Sequence, residues 1–188
     1  MRVIARHGVA GAPTRAIVAE AGMSLASLHY AFRSHAEMMR ELVGFVVGTE
    51  IASVFDSLRL GSDIRQALRS GLQAYLDYLQ GDPSHEQVMQ ELMQYTLRTP
   101  DLEYLAREQY DRYHAGVSRL LTEGAEASGV EWTMPVADVA RFVVTVTNGV
   151  TVAWLADRDT AAAGRVLDFA ADSLARLAVP VDSRVPVA

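Results

Sequence analysis

Apolar residues recur at spacings of three and four along most of the chain. Ile64, Leu68, Leu72, Tyr75 and Leu79 form one such series, and Ala106, Tyr110, Tyr113, Val117 and Leu120 form a second. Val139, Val143, Val146, Val150 and Trp154 form a third, and Ala163, Val166, Ala170, Leu174 and Leu177 a fourth. At about 3.6 residues per turn each series lies along one stripe of a helix. The run Phe142-Val143-Val144-Thr145-Val146-Thr147 is β-branched and suits a strand. A lone strand among helices has no partner, so the pattern predicts helix there and an all-α fold throughout.

Punctuation divides these stripes. Gly8, Gly22, Gly81 and Gly129 stand where helices should stop. Ser34-His35-Ala36-Glu37 and Ser84-His85-Glu86-Gln87 carry the capping-box spacing, in which hydroxyl and carboxylate or amide satisfy the first amides of a helix reciprocally. Thr99-Pro100 places a proline at an expected first helical position, where its missing N–H costs nothing, and Pro135 is read in the same way. The tail from Pro180 to Ala188 is expected to fray.

Composition narrows the class. The 188 residues contain no cysteine, which excludes disulfides, thiolate catalysis and cysteine-bound zinc. All 17 basic residues are arginine, and the formal net charge is −6. The charge is uneven: residues 1–45 carry +2 and the remainder −8. A mildly basic head on an acidic body fits a nucleic-acid reader joined to a domain that does not touch DNA. Residues 1–8 lack the apolar core of a secretory signal. The most apolar window, Phe142 to Ala156, spans 15 residues and includes Thr145, Thr147, Asn148, Gly149 and Thr151. A membrane helix needs about 20 apolar residues, so a buried core helix, no membrane contact and a cytoplasmic location are expected.

The most informative stretch runs from Ala5 to Met39. Thr14 can cap a short helix, Arg15 to Ala21, that stops at Gly22; Met23-Ser24 turns, and Ser24 caps a second helix, Leu25 to Phe32. Two short helices about a glycine turn make a helix-turn-helix, with Val18 expected to face Leu28 across the crossing. The second helix of such a pair enters the major groove.

The run from Ala12 to His35 resembles the head of the TetR family, whose pattern is T-x-x-I-A-x-x-A-G-V-S-x-x-x-L-Y-x-x-F-x-x-K. Thr14, Ile17, Ala21, Gly22, Ser24, Leu28 and Phe32 match it in register. Val18 replaces a small alanine, His29 the usual tyrosine (with Tyr30 following), and His35 the usual lysine. The first helix is also shorter than that of the family, spanning only about 10 Å over seven residues. The expectation is a native start upstream of Met1; the other reading is a shortened head that binds DNA weakly.

The resemblance implies a helix-turn-helix DNA-binding domain over residues 1–45 and a helical ligand-binding and dimerisation domain over residues 46–188. Thr14, Arg15, Tyr30, Arg33 and His35 would hold phosphates of a double-stranded operator, while Leu25, Ala26, Ser27 and His29 would face base edges. Leu25 has two readings, a thymine-methyl contact or core packing. The last two helices would pair two subunits as a four-helix bundle, setting two heads on a near-palindrome. Tyr75, Tyr78, Met89, Met93, Tyr110, Tyr113, His114 and Trp154 are the candidate ligand residues. They combine apolar bodies with hydrogen-bonding tips or adaptable thioethers, and as a set they suit a small, mainly apolar or aromatic effector.

No enzyme signature competes. The five histidines lack metal-ligand spacing, and no H-E-x-x-H, G-x-S-x-G or phosphate-binding glycine loop occurs. No catalytic residue, metal or cofactor is expected. The rival reading is a helical ligand-binding dimer that has lost productive DNA binding.

Overall fold

The computed structural model describes residues 2–9, 11–34, 37–42, 63–100 and 102–181. In chain order the elements are α1 (Arg2–His7), α2 (Thr14–Glu20), α3 (Leu25–Ala31), α4 (Ile64–Gly81), α5 (Pro83–Arg98), α6 (Glu103–Ser128), β1 (Val130–Trp132), α7 (Val136–Asp157), α8 (Thr160–Ala175) and β2 (Ala178–Pro180). Residues 37–42 are also helical. Two compact units result, one of residues 1–50 and 79–112, the other of residues 51–78 and 113–188.

In the first unit the N-terminal helices do not form a core of their own. Val3, Ile4, Ala12, Val18, Leu28, Met38 and Met39 are buried in one cluster with Val88, Met89 and Leu92 of α5, and with Leu102 and Leu105. Fully burying a side chain of this size contributes roughly 1.5–3 kcal/mol, so α5 supplies much of what holds the head together. It compensates for the shortness of α1, α2 and α3, none of which is long enough to be helical alone.

The second unit is built on the α7–α8 hairpin. Leu121, Val139, Ala140 and Leu174 form its described core cluster, with Leu68, Val117 and Trp132 packed against it. The β-branched run is helical, as its lack of a partner strand predicts. Thr145, Thr147 and Thr151 return their hydroxyls to the carbonyls of Arg141, Val143 and Thr147 at 2.8, 3.1 and 3.0 Å, so no threonine on α7 leaves its O–H unmet. The hairpin turns at Arg158, a non-glycine residue in the left-handed region (φ 58°). Its guanidinium lies 4.5 Å from the Trp154 ring centroid, which offsets part of the backbone strain. Asp159 caps α8 by accepting from the Ala162 amide at 2.8 Å. Arg65 and Arg69 of α4 pair with Asp172 and Asp168 of α8.

Several local expectations are corrected. Ser84 does not cap α5: Pro83 occupies its first turn, and Asp82 just before it accepts from the His85 amide at 3.1 Å. Pro100 opens no helix; Thr99, held extended as a residue before proline prefers, closes α5 and donates its hydroxyl to the Tyr95 carbonyl at 2.7 Å. Pro135 sits one position earlier than read, as the N-cap of α7. A short antiparallel ribbon was not expected: Glu131 of β1 pairs with Val179 of β2, and Val181 donates to the Gly129 carbonyl at 3.0 Å. Its residues are too few for a periodicity to show.

The apolar stripes predicted on α7 and α8 lie largely inside the chain. Val139, Val150 and Trp154 are buried within the chain, as are Ala163, Ala170 and Leu174. Left outside are Phe142 and Val152 on α7 and Phe169 on α8, Phe169 being 74% exposed, together with Val166, which belongs to the predicted α8 stripe. The helix α7 is longer than the 15-residue window suggested. Its 22 residues meet the length and hydropathy of a membrane span, with only 33% of the most apolar window buried.

Candidate nucleic-acid interface

The turn between α2 and α3 follows from its hydrogen bonds. Met23 donates to the Val18 carbonyl at 2.9 Å and Gly22 to the Ala19 carbonyl at 3.2 Å. This is a Schellman arrangement, and it requires a left-handed residue between the two, which is Gly22 at φ 63°. Ser24 then caps α3, its hydroxyl oxygen accepting from the Ser27 amide at 3.0 Å and lying 2.8 Å from the Ser27 hydroxyl. Val18 and Leu28 are buried in the same cluster, as the crossing predicts. Thr14 is not a cap: Pro13 precedes α2 without a side-chain bond, and Thr14 is the first helical residue.

The two helices present one open face. On α3 only Leu28 is buried; Leu25, Ala26, Ser27, His29 and Tyr30 are all exposed. Leu25 is 38% exposed and lies outside the buried cluster. Tyr30 is 95% exposed and so contributes almost nothing to packing within the chain. Arg15 and Arg33 are exposed, and Thr14 is half-buried at the start of α2. His35 lies outside the described residues.

Electrostatics separate the arginines of the head by task. Arg2 Nε donates to Glu20 Oε1 at 2.6 Å, and Arg6 donates to Glu20 Oε2, so α1 is tied to the end of α2 by one carboxylate between two guanidiniums. Arg40 lies 3.7 Å from Glu41. The guanidiniums of Arg15 and Arg33 pair with no carboxylate among the described residues (the Arg33 backbone amide donates to Glu37 Oε2 at 2.7 Å), and these two are the arginines the motif assigns to phosphate. Charge-assisted bonds from Arg2, and then Arg6, hold the Glu20 carboxyl below its ordinary range. A depressed pKa means stabilisation that is full above the ordinary carboxylate value and lost as pH falls through the folded one. Protection of the α1 amides, taken relative to their intrinsic exchange at each pH, is therefore expected to fall below about pH 4.5. Glu20→Gln should already show the lower protection at pH 7, with little further loss of protection on acidification; a variant that loses protection in acid as the wild type does would contradict the tie.

The candidate ligand residues fall in both units. Tyr75, Tyr78, Tyr113, His114 and Trp154 belong to the second unit, and Met89, Met93 and Tyr110 to the first. Tyr75, Tyr78, Tyr110, Tyr113 and His114 are half-buried. The Tyr75 hydroxyl meets Thr151 Oγ1, and since Thr151 donates to the Thr147 carbonyl, the tyrosine is the donor of that pair. Met89 and Met93 are buried, Met89 within the cluster shared with α1. Trp154 is buried at the hairpin turn and donates its indole N–H to Thr160 at 3.0 Å. Sequence reasoning passed over Glu20 and Glu91. Arg2 and Arg6, one turn apart on α1, hinted at a shared acid for the former; nothing local marked the latter.

Comparison with known proteins agrees with this geometry. Residues 1–42 match the model of the bacterial regulatory proteins of the tetR family, and residues 64–179 match that of the BetI-type transcriptional repressor C-terminal domain. The chain belongs to the TetR family of transcriptional regulators. It is similar to the HTH-type nicotine-responsive transcriptional repressor HdnoR of Paenarthrobacter nicotinovorans, at 26% identity over 84% of this chain and 80% of the relative. Among solved structures, a transcriptional regulator from Rhodococcus sp. Rha1 superposes with a TM-score of 0.75 at 19% identity, covering 96% of this chain and 94% of that one. The transcriptional regulator FadR from Bacillus subtilis, in complex with stearoyl-CoA, gives 0.71 at 16% identity, with 93% and 92% covered.

Proposed function

We propose that this protein is a cytoplasmic, ligand-responsive repressor that binds a near-palindromic operator as a homodimer. The observation that carries the reading is the face of α3, where every residue but Leu28 is exposed, beside the exposed Arg15 and Arg33, whose guanidiniums pair with no carboxylate among the described residues. Such a surface has no use inside the chain, and its shape and charge suit a major groove flanked by phosphates. The division of labour is a DNA-binding domain over residues 1–45 and a sensing and dimerising domain over residues 46–188. Thr14, Arg15, Tyr30, Arg33 and His35 hold the backbone, and Leu25, Ala26, Ser27 and His29 read bases.

The partner for the second unit is another copy of the chain. Phe142, Val152, Val166 and Phe169 form exposed apolar ground on the last two long helices, and a self-complementary face is what a two-fold dimer uses. The same pairing accounts for the high hydropathy and low burial of α7 without a membrane. The effector is a small, mainly apolar or aromatic molecule. Support comes from the half-buried tyrosines Tyr75, Tyr78, Tyr110 and Tyr113 with His114, and from relatives described as nicotine-responsive or bound to stearoyl-CoA. Its binding shifts the dimer toward a conformation whose heads no longer match the half-sites.

The test is binding to DNA from upstream of the protein's own gene, against a scrambled duplex, at two salt concentrations. Preference for the upstream DNA that weakens steeply with salt is expected, because each phosphate contact releases counterions. Equal binding to both duplexes, or none, would instead leave a helical ligand-binding dimer without DNA function.

A further inference from the structure

The junction between the head and α5 contains one directed bond amid apolar contacts. Gly8 ends α1 in the left-handed region at φ 71°, donating to the Ile4 carbonyl at 2.8 Å. The next amide, that of Val9, turns away from α1 and donates to Glu91 Oε1 of α5 at 2.6 Å. Gly8 is shaped for this approach: a Cβ there would stand 2.6 Å from the same carboxylate oxygen. Glu91 is exposed and contributes nothing to the buried cluster, yet it reaches across 82 positions of sequence to an otherwise orphaned amide at a helix end.

The surroundings explain why such a bond matters. Val3 and Ile4 meet Val88, Met89 and Leu92 through apolar contacts, which hold α1 on α5 by packing but carry no directed bond. A carboxylate–amide bond has a definite direction and length, and a charged acceptor makes it stronger than a neutral one. It fixes the point where the chain leaves α1 for α2, and so fixes the orientation of the pair α2–α3.

We propose that Glu91 is a positioning residue for DNA reading: its bond to the Val9 amide, admitted by Gly8, selects the head orientation that fits the operator. The inference rests on the protein being a DNA-binding regulator and adds a residue outside the head to its binding apparatus. Losing the bond spreads each head over several orientations, and apparent affinity falls in proportion to the fraction still competent.

The test uses the full chain with three substitutions, Glu91→Ala, Glu91→Gln and Gly8→Ala, read by operator affinity, by hydrogen exchange at the Val9 amide and by thermal unfolding. Glu91→Ala is expected to speed Val9 exchange and to weaken operator binding about tenfold, the size of one charged hydrogen bond, while the melting temperature falls by only about 3–5 °C and the fold is kept. Glu91→Gln keeps an acceptor oxygen and should recover most of both. Gly8→Ala should resemble Glu91→Ala, with added backbone strain. If the wild type prefers the operator and Glu91→Ala binds it equally well, the positioning role is wrong while the regulator reading stands. If glutamine fails to recover affinity, the hydrogen bond is not the cause and the proposal falls. A wild type with no preference for its upstream DNA overturns the regulator reading and the positioning role together, and Val9 exchange then reports only whether the bond exists.

Discussion

Leu28→Ala is expected to lower specific operator affinity by about a hundredfold or more while leaving most of the helical signal intact. Leu28 is the sole buried residue of α3 and joins it to Val18 and the rest of the head cluster. Truncating a buried leucine to alanine costs about 2–5 kcal/mol through lost transfer energy and the cavity left behind. A seven-residue helix has no reserve to absorb that loss, because nucleation is costly and short helices are marginal alone. The second unit has its own cluster about Leu121, Val139, Ala140 and Leu174 and should be spared. Fluorescence anisotropy with the operator, beside far-ultraviolet circular dichroism, checks both halves of the expectation. Affinity within threefold of wild type would show that α3 is held by something other than Leu28.

The second large effect concerns assembly. Phe169→Glu should convert the protein to a monomer at micromolar concentration and weaken operator binding by a hundredfold or more. Phe169 is 74% exposed on α8 and can bury 150–250 Å² only against another molecule. In a two-fold interface the substitution enters twice, placing two carboxylates on apolar ground without partners. The affinity loss follows because two linked heads gain from a high effective concentration that single heads lack. Sedimentation equilibrium reads the mass, and anisotropy reads the affinity. A variant that stays dimeric and binds normally would move the interface away from this face, and a monomeric wild type would remove the dimer from the proposal. A fall in melting temperature alone is not expected, since the side chain packs on little within its own chain.

The helix-turn-helix was legible because its determinants are local. Gly22 permits the left-handed turn, Ser24 caps three residues ahead, and the Val18–Leu28 pair lies within one supersecondary unit. The family pattern adds to this, but the turn chemistry alone predicts two short helices at nearly the observed bounds. The helical body was legible for a similar reason, since a stripe at three and four survives whatever it packs against. Even Phe142–Thr147 followed from the absence of any partner strand, despite its β-branched composition. Caps that depend on a residue's neighbours were read less well, as Asp82 displacing Ser84 shows.

What each stripe packs against could not be read. The α7 series of Val139, Val150 and Trp154 became core, while Phe142, Val152, Val166 and Phe169 were left outside. Periodicity locates an apolar face but not its partner, and a helix apolar on more than one side offers several choices that only packing decides. The ribbon of β1 and β2 joins residues about 50 apart, so neither strand carries a signal of its own. The bond between Glu91 and Val9 is the extreme case: an exposed glutamate and a backbone amide look ordinary in sequence, and only the approach of α5 to the end of α1 brings them together. The sequence by itself determined the helices, the turn and the chemistry of the exposed face of α3, because these rest on contacts a few residues apart. Tertiary structure alone decided which apolar faces were used up, which arginines stayed unpaired and what holds the head in place, because those outcomes depend on distances between segments far apart in the chain.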